Sequence, residues 1–290
     1  MNTLTTSLVT AAHIRQYEEE GCVRVSGVFD QRTVARLVEA IDAARAAFGT
    51  PQFDALRSGT QHQNPPTMHA GEGQVQLRNF AQHVPELRRW LNDGQAAAIV
   101  GNLLRAQHVR FWMDATFIKE GGLEESATPW HNDECTFPFR GQMMPSFWVA
   151  LSDVDTGNAP LITLAGSNKD PWRYHSPLSP VDAFVTEHIP WSHLERRVCQ
   201  PDAPIRTWPC NAGDILLIHP KTIHASLPQR SGSASRRIAL TTRWLGDDVV
   251  WAPNALTIKI SALESSGVMQ PGWPPPDSHF PVLWRRQGHR

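Results

Sequence analysis

Hydrophobic spacing divides the chain into a helical first third and a strand-rich remainder. Thr10, Ile14 and Tyr17, followed by Gly21, predict a short capped helix that stops on glycine. Val23 and Val25 alternate with Arg24 and Ser26, so Cys22 to Val28 reads as a strand. Asp30 then stands where an N-cap belongs, and Val34, Leu37, Val38, Ile41 and Phe48 share one face of a second helix. Residues 49–75, rich in Pro, Gly, Gln and His, predict a mobile loop or lid. Leu87, Trp90 and Leu91, then Ile99, Leu103 and Leu104, predict a helical pair closing near Arg105.

From about residue 108 the texture changes. His108 to Ile118, Thr128 to Thr136, Ser146 to Leu151, Leu161 to Ala165, Ile205 to Trp208, Asp214 to His219 and Ile238 to Trp244 are short runs rich in β-branched and aromatic residues. Turn residues separate them, which favours a β-sandwich or barrel over a parallel α/β sheet. No linker divides the two parts, so one domain is expected. In it, residues 1–107 give mostly helical support, 108–246 the β core and 247–290 an extended strap anchored by Phe280 and Trp284.

Composition narrows the function classes. A chain of 290 residues can bury a core that needs no disulfide staples. Lys and Arg number 27 against 28 Asp and Glu, a balance that lacks the basic surface a nucleic-acid or anionic-membrane partner requires. No apolar run reaches membrane-spanning length, and Met1 to Thr10 lacks the basic-then-apolar order of a signal peptide. A soluble, cytoplasmic protein acting on a small-molecule substrate is expected. Cys22, Cys135, Cys199 and Cys210 form no C-x-x-C pair, which predicts free and mostly buried thiols rather than a zinc knuckle or redox motif.

Three segments could carry chemistry. In Thr128-Pro129-Trp130-His131-Asn132-Asp133, alternation on a strand points His131 and Asp133 to one face, where both could ligate one ion. Thirteen histidines make one such pair by chance unsurprising, so the motif is weak alone. The similar His193-Leu194-Glu195 has helical texture, where such positions diverge. The second segment, Gly213 to Ser226, launches an apolar strand and ends in a short loop carrying His224. A lone histidine is more often structural. Two histidines and one carboxylate, however, make the facial triad that suits ferrous iron, and closing an antiparallel barrel would bring His224 to the first pair. The third segment, Arg236 to Trp244, offers a guanidinium that could hold a carboxylate by a bidentate fork; two arginines at a solvated strand start are the plainer alternative.

The order W-H-N-D, F-W-V-A-L-S-D-V-D, G-S-N-K, G-D-I-L-L-I-H-P-K-T-I-H-A-S and R-R-I-A-L closely resembles the phytanoyl-CoA dioxygenase family. The resemblance runs from Tyr17-Glu18-Glu19-Glu20-Gly21 through Trp244. It implies a mainly β fold with flanking helices, a double-stranded β-helix (jelly-roll, cupin-like), and a helical N-terminal third. It also implies iron(II) with 2-oxoglutarate and O2 as co-substrates, and an oxidation that releases succinate and CO2. By position, His131, Asp133 and His224 match the metal-binding and catalytic triad. Alignment on I-A-L matches Arg237 to the 2-oxoglutarate arginine, whereas counting forward from His224 matches Arg236; strand alternation must send the two to opposite faces, and Arg237 is the expected anchor. Ser226 matches a hydroxyl that assists the same carboxylate, and Lys119, Asn132 and Trp148 match positions lining the co-substrate pocket. Trp130, Phe137, Phe139, Trp112 and Phe147 are expected as apolar walls.

Related iron halogenases replace the triad carboxylate with a small residue, so Asp133 predicts hydroxylation or another oxidation. A cupin-like metal or sugar binder and a zinc hydrolase using the same three residues are the rival readings. The family acts on fatty acyl-CoAs, amino-acid-derived solutes and secondary metabolites. No basic cluster or Gly-rich loop suits CoA phosphates, which favours a small metabolite, with residues 49–75 and 168–200 (Trp172, Tyr174, His175, Trp191) setting specificity.

Overall fold

The computed structural model describes residues 8–57, 64–71, 73–120, 126–175, 188–230, 236–260, 263–264 and 267–287. Thr10 caps α1 (Ala11–Glu20): its hydroxyl accepts from the His13 amide while the His13 ring accepts from its own. Gly21 ends that helix at φ +79° and hands the chain to β1 (Cys22–Val25). The Asp30 carboxylate accepts from Thr33 N and starts α2 (Gln31–Ala47), which α3 (Pro51–Arg57) follows.

The lid expected over 49–75 is corrected here. Beside α3, it contains β2 (Thr67–Gly71), which forms an antiparallel hairpin with β3 (Gln74–Arg78); residues 58–63 and 72 lie outside the described set. Val75 and Leu77 face the helices while Gln76 and Arg78 face a cavity, so a polar inner face masked the strand pattern. The predicted helical pair is α4 (Pro85–Asn92) and α5 (Gln95–Leu104).

The β core follows: β4 (His108–Lys119), β5 (Thr128–His131), β6 (Phe139–Arg140), β7 (Ser146–Ala150), β8 (Leu161–Leu164), β9 (Arg173–Tyr174) and β10 (His188–Ile189). After α6 (Trp191–Val198) come β11 (Ile205–Trp208), β12 (Ile215–Ile218), β13 (His224–Ser226), β14 (Arg237–Leu245), β15 (Val250–Trp251) and β16 (Val282–Arg285). The larger sheet runs β1-β12-β7-β14-β4-β3-β2, with β16 also pairing β4; the smaller runs β11-β8-β13-β5. Their pairings are antiparallel, and the chain passes repeatedly between the sheets, which is the jelly-roll topology. The N-terminal third thus supplies three sheet strands as well as helices.

Alternation assigns each face of the larger sheet. Ile238, Leu240 and Trp244 of β14, with Phe147 and Val149 of β7, pack against Leu37, Ile41, Leu87, Trp90 and Leu103 of the helices. Arg237, Thr241 and Arg243 of β14, with Ser146 and Trp148 of β7, face the other way into a cavity between the sheets. On β4 the register slips where Arg243 pairs Met113 and Trp244 pairs Phe111. Trp112 is the extra residue of that bulge, so the inward series restarts at Met113 and continues through Ala115 and Phe117.

The C-terminal strap ends as a strand along the start of β4. Phe280 is buried there, and the Trp284 ring lies against Gly101, where any Cβ would overlap it. Cys22, Cys135 and Cys210 are buried and Cys199 is exposed, and none is in a disulfide. No helix among the described residues is long and apolar enough to cross a membrane.

Candidate active site

His131 closes β5 and His224 opens β13, and the two stand directly opposite in that strand pair. Their rings are 4.2 Å apart between centroids. Asp133 lies just beyond β5, and the three side chains, all buried, place their ligand atoms within 4.8 Å of one another. Strand β13 was expected to be a loop; at three residues it is too short to show a period, and pairing with β5 and β8 makes it a strand.

Local hydrogen bonds set the donor atoms. His131 Nδ1 lies 2.8 Å from the Pro129 carbonyl, and His224 Nδ1 lies 2.8 Å from the Thr222 carbonyl. A carbonyl only accepts, so each Nδ1 carries the proton and each Nε2 keeps a free lone pair. Burial, with His224 alongside, pushes the His131 imidazole down to about 3, which keeps it neutral, the form that can ligate a metal. Burial works against the Asp133 anion. Arg243, the two histidines and the Ser146 hydroxyl outweigh it and hold the carboxyl well below its usual range. Ser146 Oγ donates to Asp133 Oδ2 at 2.6 Å, and Arg243 Nη2 is 3.4 Å from Oδ1. Two neutral imidazoles and one carboxylate, their outer atoms already satisfied, fit a divalent iron that needs open positions.

A cavity of about 380 Å³ extends from this cluster. Arg237, 2% exposed, lines it, with the guanidinium carbon 5.1 Å from the centroid of the Trp148 ring. Its buried Nε has no hydrogen-bond partner, and burial pushes the guanidinium down to about 10. Lys119 sits directly across the strand pair from Arg237. Its Nζ donates to Ser226 Oγ and, at 3.4 Å, to Thr128 Oγ1. Burial, with Arg237 adding, pushes Lys119 down to about 6. A buried guanidinium with an orphaned N–H, bordered by two hydroxyls, fits a carboxylate.

The expected residues divide as follows. Arg236 turns outward and pairs with Asp42 at 2.8 Å, so alternation leaves Arg237 as the inward arginine. Ser226 and Trp148 line the cavity; Lys119 does not, lying behind the Ser226 and Thr128 hydroxyls. Asn132 does not line it either, being buried between two neighbours that take the inward direction. Among the expected walls Phe137 lines the cavity. Phe147 packs on the helices, Trp112 and Phe139 in a separate cluster, and Trp130 beside Tyr174 and Ile223. In 168–200, Trp172 is exposed and Tyr174 bonds to Arg197 at 2.8 Å; neither they nor His175 line the cavity, and 176–187 lies outside the described residues. Arg243, Arg78 and Gln76 line it without having been expected. Arg243 shares the parity of Arg237 on β14, a signal present in the sequence.

Residues 17–238 match the model of the family described as phytanoyl-CoA dioxygenase (PhyH). No curated protein sequence matches. Among solved structures, the non-heme alpha ketoglutarate dependent carbocyclase SnoK from nogalamycin biosynthesis is similar at TM-score 0.71 and 20% identity, over 96% of this chain and 98% of that one. The epimerase SnoN from the same biosynthesis is similar at 0.66 and 20%, over 96% and 97%. EctD from S. alaskensis is similar at 0.60 and 17%, over 84% and 80%. At these identities the likeness establishes the jelly-roll fold.

Proposed function

The chain belongs to the phytanoyl-CoA dioxygenase family, whose members use iron(II), 2-oxoglutarate and O2, and from that premise we propose that it hydroxylates an unactivated C–H bond of a small metabolite. His131, Asp133 and His224 hold the iron in this reading. With 2-oxoglutarate and O2, the metal supplies the oxidising chemistry and the reaction releases succinate and CO2. The observation that carries the reading is Arg237, a buried guanidinium with an unsatisfied N–H in the same cavity as the three ligands.

Arg237 receives the distal carboxylate of 2-oxoglutarate, assisted by the hydroxyls of Ser226 and Thr128. The guanidinium lies over the face of the Trp148 ring. The carbonyls of Pro129 and Thr222 hold the histidine tautomers, and Ser146 fixes one Asp133 oxygen while the other, 3.4 Å from Arg243, lies 3.9 Å from His131 Nε2. Met113, Phe117, Phe137 and Ile258 keep water from the substrate side of the cavity. A volume of about 380 Å³ lies near the small end of ligand pockets and suits a compact metabolite, not a whole acyl-CoA. Secondary metabolites are of that size, and SnoK and SnoN are described from the biosynthesis of one.

Adding iron(II) and 2-oxoglutarate anaerobically should change the optical spectrum, and admitting O2 with candidate substrates should release succinate. Absence of 2-oxoglutarate binding would turn the reading toward a cupin-like binder or a zinc hydrolase. A chlorinated product formed in the presence of chloride would contradict hydroxylation, since Asp133 fills the position a halide would take.

A further inference from the structure

Among the described residues four cations line the cavity, Arg78, Arg237, Arg243 and Lys259, against a single carboxylate, Asp133. In the reading above Arg237 serves the co-substrate, and Arg243 reaches Asp133 at 3.4 Å through Nη2 and lies over the Phe137 ring, with its buried Nε and Nη1 unpartnered. Lys259 is exposed at the rim, its backbone carbonyl accepting from Asn64 Nδ2 at 2.7 Å. That leaves Arg78, half-buried, with no hydrogen-bond or ion-pair partner among the described residues.

The sheet register places Arg78 away from the co-substrate end. Gln74, Lys119 and Arg237 form one row across β3, β4 and β14, while Arg78, Ala115, Thr241 and Trp148 form another. The rows are four residues apart along the strands, so the Cα atoms of Arg78 and Arg237 are separated by about 13 Å lengthwise and two strands sideways. The electrostatic groupings agree: Arg237 acts on Lys119, whereas Arg78 feels Arg243 and Asp133. Burial, with Arg243 adding and Asp133 only partly opposing, lowers the affinity of Arg78 for its proton. Gln76, two residues earlier on the same face, adds an amide donor beside it.

We propose that the cavity binds its primary substrate through a carboxylate held by Arg78 and Gln76, with an apolar body against Met113, Phe117, Phe137 and Ile258. This rests on the oxygenase reading for what then happens to the substrate, but the acid-binding site itself does not need it. A guanidinium fork matches the two oxygens of a carboxylate, and the edge position of β3 and β2 puts that recognition at the open flank of the barrel.

The test titrates octanoate and phenylacetate, each against its neutral amide, into the anaerobic iron(II) protein with and without 2-oxoglutarate, reading dissociation constants by calorimetry. The acids should bind at least about 10-fold tighter than the amides, the scale of a charge-assisted pair. Arg78→Met should erase that preference while leaving 2-oxoglutarate affinity within about twofold, and Arg78→Lys should restore part of it. Equal binding of acid and amide, binding of neither, or a preference that survives Arg78→Met overturns the proposal. A loss of 2-oxoglutarate affinity in Arg78→Met also overturns it, by assigning Arg78 to the co-substrate. Failure of 2-oxoglutarate to bind the unaltered protein defeats the oxygenase reading alone, because the acid preference is measured without it as well.

Discussion

Asp133 is held by contacts that each tune a different property. Ser146 fixes one oxygen, and Arg243 with the histidines keeps the carboxyl ionised in a site where burial alone would protonate it. Asp133→Ala should therefore abolish both iron(II) binding and turnover, whereas Ser146→Ala should weaken iron(II) by about 10–100-fold and leave the fold intact. Anaerobic iron(II) titration checks both, and full affinity in Ser146→Ala would remove that hydroxyl from the account. Lys119 gives a pH signature. In the folded protein it is neutral above about pH 6, while an unfolded lysine stays charged to its ordinary value, so the unfolded state binds more protons between the two. Stability should thus rise with pH through that window. A carboxylate arriving at Arg237 favours the charged lysine, so 2-oxoglutarate binding should take up a proton above about pH 6 and weaken as pH rises. Calorimetry in buffers of different ionisation enthalpy measures the uptake, which Lys119→Met should eliminate. At this scale the triad was legible because alternation and motif order both carry it. Asn132 was not, because adjacency to two ligands says nothing of direction.

Gly21 shows how one element supports another. It ends α1 at φ +79°, and its carbonyl accepts from His219 N at 2.8 Å and from Thr222 Oγ1 at 2.7 Å, tying the helix to the turn that delivers His224. A Cβ at this position would lie 2.2 Å from Thr222 Oγ1 and 2.9 Å from Asn168. Gly21→Ala should cost about 2 kcal/mol or more, from left-handed strain plus overpacking, and should weaken iron(II) binding as the turn shifts. Urea unfolding with a parallel iron(II) titration reads both; a stable variant with normal iron affinity would show that the junction does not hold the turn. The element-level record follows the same physics. Long apolar periods announced α2, α4, α5 and β4, whereas β13 is too short for a period and β3 carries its polar residues inward. The bulge at Trp112 reverses alternation midway along β4, which is why Trp112, expected as a wall, packs instead with Phe139 in a separate cluster.

At the scale of the molecule, the site is divided between the two sheets. His131 and His224 stand on β5 and β13 of the smaller sheet, and Arg237 stands on β14 of the larger. In the proposed reading, a co-substrate that meets the metal at one end and Arg237 at the other would add a link between sheets whose facing sides meet beside the cavity in an apolar cluster of Trp148, Leu161, Trp208 and Leu216. Binding that requires the folded state stabilises it by RT ln(1 + [L]/Kd), about 2.7 kcal/mol at 100 Kd, or a shift of a few degrees in Tm for a chain of this length. Iron(II) alone should give a modest increase, because the three proposed ligands lie on or just beyond strands of one sheet. Iron(II) with 2-oxoglutarate should exceed the sum of the separate increments, because the pair spans both. Arg237→Ala should keep the metal increment and lose the excess, while Arg236→Gln, on the outer face, should keep both. Anaerobic thermal unfolding of the three proteins decides the matter. An excess that persists in Arg237→Ala would place the second anchor elsewhere in the cavity, and an excess lost in Arg236→Gln would reverse the choice that strand alternation makes between the two arginines.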